Sequence, residues 1–118
     1  MIKFYGYAKC NTCKKAEKYL NENDISFKYF DITSHPPSKN DLKKILIASK
    51  KPIKKMFNTS GVVYRELKLK DKIDSLSESE MFEILASNGK LLKRPIAFDQ
   101  VHATIGFNMD EYEGTWKS

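Results

Sequence analysis

The fold is decided by the stretch Ile2-Lys-Phe-Tyr-Gly-Tyr-Ala-Lys-Cys-Asn-Thr-Cys13, at the amino end of the chain. Apolar and polar residues alternate in its first half, which predicts a β-strand over residues 2–7. From Asn11 to about Asn23 the apolar residues return at helical spacing, which predicts an amphipathic helix. The two cysteines therefore lie where a strand gives way to a helix.

A second strand follows this helix. Residues 25–32 are rich in aromatic and β-branched side chains and precede the breaker Ser34-His-Pro-Pro37. Strand, helix and strand form a right-handed crossover with parallel strands, so the helix must cover one face of the sheet. The loop that carries Cys10 then opens at the carboxyl end of the first strand.

The middle of the chain predicts helices rather than strands. Ser38 with Asp41 and Ser77 with Glu80 have the spacing of capping boxes, and each precedes an apolar stripe. We expect helices from these caps to about residue 49 and residue 88. Residues 51–74 between them predict only short helical pieces and a turn.

The carboxyl end predicts a hairpin over residues 95–98 and 101–107, and then a last helix capped by Asn108. A βαβ half followed by a ββα half assembles a four-stranded mixed sheet with flanking helices. The sequence therefore predicts an α/β fold in a single domain, residues 1–118, with a helical insertion at about residues 36–90.

Composition narrows the class of protein. The net charge is +6, but most of the basic residues are lysines on amphipathic helices, where they usually only solvate the surface. We therefore expect no direct binding of nucleic acid. No uncharged apolar run approaches the roughly 18 residues of a membrane span, and no charged leader precedes the first strand. The expectation is a cytoplasmic protein, and a monomer.

The two cysteines are the only ones, and a bond between them would close a loop too short to act as a structural staple. A structural zinc site needs four ligands, and His35 and His102 are not spaced as a pair, so no metal is expected. Two inert, buried thiols remain an alternative. Cys-x-x-Cys between a strand and a helix favours redox chemistry.

The position of each thiol predicts its role. Free backbone N–H groups and the helix dipole favour a thiolate at Cys10, and Lys9 and Lys14 add positive charge nearby. Cys10 is therefore the expected nucleophile. Cys13 lies one turn further on, on the face shared with Ala16, where it is shielded and suited to resolve a mixed disulfide.

Four stretches together resemble the Spx and arsenate-reductase family. They are Tyr7-Ala-Lys-Cys-Asn-Thr-Cys-Lys-Lys-Ala16, Pro36-Pro-Ser-Lys39, residues 57–67 and Leu91-Leu-Lys-Arg-Pro-Ile96. The chain looks most like the small uncharacterised arsenate-reductase-like proteins of Gram-positive bacteria. The resemblance implies a thioredoxin-like fold with a helical insertion, no bound cofactor, and glutathione or thioredoxin as external reductant.

The resemblance also implies roles for single residues. Cys10 matches the redox cysteine of the family, and Arg94 matches an arginine that precedes a cis proline, here Pro95. Arg94 would then face Cys10 and hold a thiolate or an anionic adduct through paired hydrogen bonds. Further candidate contacts for a donor thiol are Asn11, Thr12 and Lys14.

The chain departs from true arsenate reductases, in which two further arginines hold the oxyanion. The first of these positions falls near Asn58, and no arginine follows Arg94. Asn58 remains a candidate substrate contact, but arsenate becomes a less favoured substrate. The preferred hypothesis is a thiol–disulfide reductase acting on a small thiol or disulfide.

The alternative hypothesis is a redox-sensing regulator. Residues 105–111 resemble the Spx regulators, which bind the α subunit of RNA polymerase instead of turning over a substrate. Residues 58–61 are more similar to the family members that are not regulators, which favours the reductase.

Overall fold

The computed structural model describes residues 1–117. Its four strands form one sheet in the order β2-β1-β3-β4. They are β1 (Ile2–Gly6), β2 (Phe27–Asp31), β3 (Ile96–Phe98) and β4 (Ala103–Ile105). β1 runs parallel to β2 and antiparallel to β3, which pairs antiparallel with β4. The mixed sheet built from a βαβ half and a ββα half is confirmed.

Six helices accompany the sheet. They are α1 (Asn11–Glu22), α2 (Lys39–Ser49), α3 (Val62–Glu66), α4 (Leu69–Lys72), α5 (Glu78–Ser87) and α6 (Met109–Thr115). Short 3-10 turns lie at Ile53–Met56, Ile73–Ser75 and Gly89–Leu91. Four of the helices fall between β2 and β3, which is the position of the expected helical insertion. None of the helices within residues 1–117 has the length and apolar content to cross a membrane.

Two cores lie on opposite faces of the sheet because neighbouring residues of a strand point to opposite sides. Phe4 packs with α1 and α6, and Cys13 and Tyr112 are fully buried on that side. The adjacent Tyr5 joins a larger cluster that covers the other face and includes the apolar residues of α2 and α5. α1 is thus fixed against the sheet directly behind the dithiol.

The caps predicted from sequence form as expected. Ser77 accepts the N–H of Glu80 at 3.1 Å and donates its own N–H to the Glu80 carboxylate at 3.0 Å, which completes a capping box on α5. Ser38 caps α2, and Asn108 caps α6 by accepting the N–H of Glu111 at 3.0 Å.

All four strands are shorter than predicted, and two of them, β2 and β4, differ at a boundary by two residues. β2 begins at Phe27 instead of residue 25, because the N–H of Ile25 donates to Leu20 at 2.9 Å and closes the end of α1. Asp24 adopts a left-handed φ of 55° in the same turn. Ile25 therefore belongs to the helix exit and contributes no pairing to the sheet.

β4 is also shorter than the predicted residues 101–107. The side chain of Asp99 accepts the N–H groups of Val101 and His102 at 3.0 and 2.6 Å, which ties both residues into the turn. At the other end, Gly106 has a φ of 80° and turns the chain out of the strand. Only three residues remain to pair with β3.

Candidate active site

Cys10 is the N-cap residue of α1. Its backbone N–H donates to the carbonyl of Tyr7 at 3.1 Å, and its Sγ accepts the backbone N–H of Cys13 at 3.2 Å. The side chain is half-buried, and both cysteines are free thiols. A sulfur in this position lies at the positive end of a 12-residue helix and receives a backbone hydrogen bond, two features that stabilise negative charge on it.

Cys13 has the opposite environment. It lies on the inner face of α1 and is fully buried between the helix and the sheet. Burial, reinforced by the hydrogen bond with Cys10, raises the pKa of the Cys13 thiol to about 12. Cys13 is therefore a neutral thiol near pH 7, and it becomes nucleophilic only when a base or a structural change removes its proton.

Arg94 enters the site from the loop before β3. Its guanidinium lies over the ring of Tyr7, 4.7 Å from the ring centroid. It takes part in none of the ion pairs among residues 1–117. The Arg94–Pro95 peptide bond is cis, as the resemblance implies. Pro95 is buried, and its carbonyl accepts the N–H of Gly106 at 2.8 Å.

Asn58 is brought to the site by main-chain pairing across the insertion. Its N–H donates to the carbonyl of Leu91 at 2.8 Å, and the N–H of Lys93 donates to the carbonyl of Met56 at 2.7 Å. These bonds form an isolated antiparallel bridge between Phe57 and Leu92. The bridge fixes the wall of the site that carries Asn58 next to the segment that carries Arg94.

These elements enclose a cavity of about 530 Å³. Its walls are Cys10, Thr12, Lys51, Asn58, Lys93, Arg94, Ile105, Gly106, Phe107, Asn108 and Glu111. Lys51 pairs with Glu111 at 3.0 Å, so its charge is neutralised within the wall. Three basic side chains face one carboxylate, and the cavity therefore favours anionic ligands.

The structure brings four of the predicted site residues to one cavity: Cys10, Thr12, Asn58 and Arg94. Cys13 and Pro95 lie buried behind it. Asn11 and Lys14 are exposed on α1 and do not line it.

Sequence reasoning missed most of the wall opposite Cys10. Lys51 and Lys93 carry no signal that separates them from the other lysines of the chain. The backbone N–H of Glu111 donates to the α6 cap residue Asn108, and its side chain also binds Lys51, 60 residues away. Gly106 is the one wall residue that the sequence could have indicated, because a glycine between a strand and a helix cap often marks a turn with positive φ.

The architecture defines a class of protein before any comparison is made. The four-stranded mixed sheet and the Cys-x-x-Cys at the start of α1 make this a thioredoxin-like α/β protein in which one thiol of the pair, Cys10, lines a cavity. The chain belongs to the ArsC family, whose model matches residues 5–115.

Three comparisons illustrate this membership. The chain is 46% identical over 115 residues to the uncharacterised protein YusI of Bacillus subtilis, with 98% of both chains covered. It is 33% identical over 111 residues to the global transcriptional regulator Spx of Streptococcus mutans, covering 94% of this chain and 80% of that one. A crystal structure of a possible arsenate reductase from Streptococcus mutans matches with a TM-score of 0.87 and 37% identity, covering 96% and 98% of the two chains.

Proposed function

We propose that this protein is a cytoplasmic thiol–disulfide reductase that acts as a single-domain monomer, with Cys10 as nucleophile and Cys13 as resolving thiol. The observation that carries the proposal is the position of the Cys10 sulfur. It accepts the Cys13 N–H at 3.2 Å at the start of α1, and it lines an open cavity together with Arg94. Membership of the ArsC family supports the same chemistry.

The reaction has two exchange steps. The Cys10 thiolate attacks one sulfur of a disulfide, a Cys10 mixed disulfide forms, and the second sulfur leaves as a thiolate. Cys13 then loses its proton to solvent or to the leaving thiolate and attacks the Cys10 Sγ, which releases the first sulfur. The substrate disulfide has gained two electrons, and the Cys10–Cys13 pair has lost them. Two molecules of an external thiol, such as glutathione, restore the dithiol.

Arg94 is the proposed anion partner. Its guanidinium takes part in no ion pair among residues 1–117, so its hydrogen-bond donors are available for a carboxylate or a developing thiolate. Asn58 occupies the neighbouring wall position without a charge. A single free guanidinium supports a substrate with a carboxylate, such as glutathione disulfide, over a compact oxyanion such as arsenate.

The proposal is tested by steady-state turnover. Purified protein is incubated with a small aromatic disulfide or arsenate and glutathione as reductant, or with glutathione disulfide and reduced thioredoxin as reductant, and product formation is followed by absorbance. Glutathione cannot be the reductant for its own disulfide, because the two sides of that reaction are identical. We expect reduction of the disulfides and little reduction of arsenate. Cys10→Ser should abolish turnover, whereas Cys13→Ser should accumulate a mixed disulfide at Cys10 that is visible as an added mass.

Lys15→Ser serves as the control for changes near the dithiol, because Lys15 is exposed on α1 and lines no wall of the cavity. It should retain activity. Turnover that survives Cys10→Ser, or a protein that never forms the mixed disulfide, would contradict the proposal.

A second candidate is a transcriptional regulator of the Spx type. It is favoured by the 33% identity to Spx of Streptococcus mutans over 94% of this chain. Pull-down of the carboxyl-terminal domain of the RNA polymerase α subunit, compared between oxidised and reduced protein, separates the two functions. Oxidation-dependent binding without turnover would replace the reductase with the regulator.

A further inference from the structure

A second cavity adjoins the one that holds Cys10. It measures about 340 Å³, and its walls are Tyr7, Asn58, Gly61, Val62, Val63, Glu66, Lys90 and Arg94. Asn58 and Arg94 line both cavities. The two spaces are therefore neighbouring compartments divided by these two side chains, and we call the second one the α3 compartment.

The two compartments differ in chemistry. The cavity around Cys10 is lined mainly by polar and charged groups, whereas the α3 compartment offers the ring of Tyr7 and the side chains of Val62 and Val63. Val62 is 58% exposed, although a β-branched aliphatic side chain gains free energy from burial. The exposed Glu66 and Lys90 add one charge of each sign to the wall. The α3 compartment therefore suits an apolar group of a ligand.

The α3 compartment is also close to the reactive sulfur. The carbonyl of Tyr7 accepts the N–H of Cys10 at 3.1 Å, and the Tyr7 ring lies beneath the Arg94 guanidinium. The two cavities share Asn58 and Arg94, so a residue beside the cysteine that carries the leaving sulfur has a neighbouring apolar space in which to lie. The two compartments together fit a substrate with two unlike halves.

Building on the proposed function, we infer that the preferred substrate is an asymmetric disulfide between glutathione and the cysteine of a peptide or protein chain flanked by an apolar residue. The carboxylates of glutathione lie in the Cys10 cavity, and the apolar residue lies against Val62 and Val63. The Cys10 thiolate attacks the glutathione sulfur, and the peptide thiolate leaves. Cys13 then displaces glutathione and closes the intramolecular disulfide, and two further molecules of glutathione reduce it.

The test compares two S-glutathionylated peptides that differ only in the residue next to cysteine, which is leucine in one and serine in the other. Wild-type protein should reduce the leucine peptide with a kcat/KM roughly tenfold higher. Val62→Asp should bring the two values close together by lowering the value for the leucine peptide, because the apolar wall is lost. Val101→Asp is the matched control, because Val101 is 71% exposed and lines neither compartment.

A binding measurement separates this inference from the proposed function. Cys10→Ser protein, labelled with nitrogen-15, is titrated with non-reducible thioether analogues of both peptides. The leucine analogue should shift the amide signals of Val62 and Val63, and the serine analogue should not. Equal shifts from the two analogues, or a preference that survives Val62→Asp, would overturn the inference. If both peptides resist reduction, the reductase proposal fails and the substrate assignment fails with it, even where the selective shifts show that the leucine analogue binds. If both peptides are reduced at equal rates and shift the signals equally, only the inference fails.

Discussion

At the scale of single residues, the site depends on the different surroundings of two sulfur atoms that lie within one helical turn. Cys10 accepts a backbone hydrogen bond at the mouth of a cavity, and Cys13 is enclosed behind it. The same N–H group joins them, since it belongs to Cys13 and points to Cys10. The local fold of the backbone thus assigns the attacking and resolving roles.

Alkylation of Cys13 should report its raised pKa. Cys10→Ser protein loses the contributions of Cys10 but keeps the burial of Cys13, so the rate of reaction with iodoacetamide should stay low through neutral pH and rise only above the ordinary thiol pKa of 9.0. In urea the same thiol should react through its ordinary pKa of 9.0. Mass spectrometry of quenched samples gives both rates. Similar pH profiles in the two conditions would show that the fold does not protect Cys13.

Arg94 should not be replaceable by lysine. Lysine keeps the charge but loses the planar group that covers the Tyr7 ring and donates paired hydrogen bonds. We expect Arg94→Lys to raise KM for glutathione disulfide roughly tenfold, a loss of about 1.4 kcal/mol in binding. Arg65→Lys, at the other arginine of the chain, should leave KM unchanged. An equal effect of both changes would assign Arg94 no special role.

At the scale of secondary structure, caps and turns explain where each element begins and ends. The capping box of α5 uses only groups within four residues of one another, so it was visible in the sequence. α5 packs against α2 within the insertion, and its amino end is exposed.

The cap can be removed without disturbing the core. Ser77→Ala should lower the free energy of unfolding by about 1 kcal/mol, because the N–H of Glu80 loses its acceptor. Ser79→Ala, two residues further along the exposed face, should have little effect or stabilise slightly, since alanine favours helix. Urea denaturation of both variants measures the difference. A cost at Ser79 equal to that at Ser77 would rule out the cap as the cause.

The elements that the sequence predicted well are those whose signals are local. The strand, the Cys-x-x-Cys and the start of α1 follow from periodicity and chemistry over a dozen residues. The start of β4 at residue 103 could not be predicted in this way, because it depends on Asp99 accepting the N–H groups of Val101 and His102. The pairing that brings Asn58 to Arg94 joins residues far apart in sequence, and hydrophobic periodicity contains no information about it.

At the scale of the whole molecule, the insertion packs on one face of the sheet through the larger core, and it also makes close backbone contacts at the edge of the sheet. Gly89 is one of them, since it follows α5 and lies against the end of β2. A Cβ atom built there would be 1.9 Å from the carbonyl oxygen of Ile32. This distance is far below a van der Waals contact, and the atom that the Cβ meets is a backbone atom, which cannot move aside as a flexible side chain can.

Replacing two glycines by alanine should therefore have opposite effects. Gly89→Ala should lower the free energy of unfolding by about 2 kcal/mol or more, because the backbone must shift. Gly114→Ala should raise it by roughly 0.5–1 kcal/mol, because Gly114 lies in a helix with nothing within 4 Å of an added Cβ. Thermal and urea unfolding give both values. Two changes of the same sign would contradict the contact between Gly89 and Ile32.

The bridge between Phe57 and Leu92 has an evolutionary consequence. The wall position at residue 58 is held by main-chain hydrogen bonds, so a residue other than proline can replace Asn58 and keep those bonds. A substitution at residue 58 can thus change the side chain that faces a ligand in the Cys10 cavity, while the main-chain bridge stays in place. This separation lets one family diversify its ligands quickly, and Asn58→Arg would recreate such a step in the laboratory.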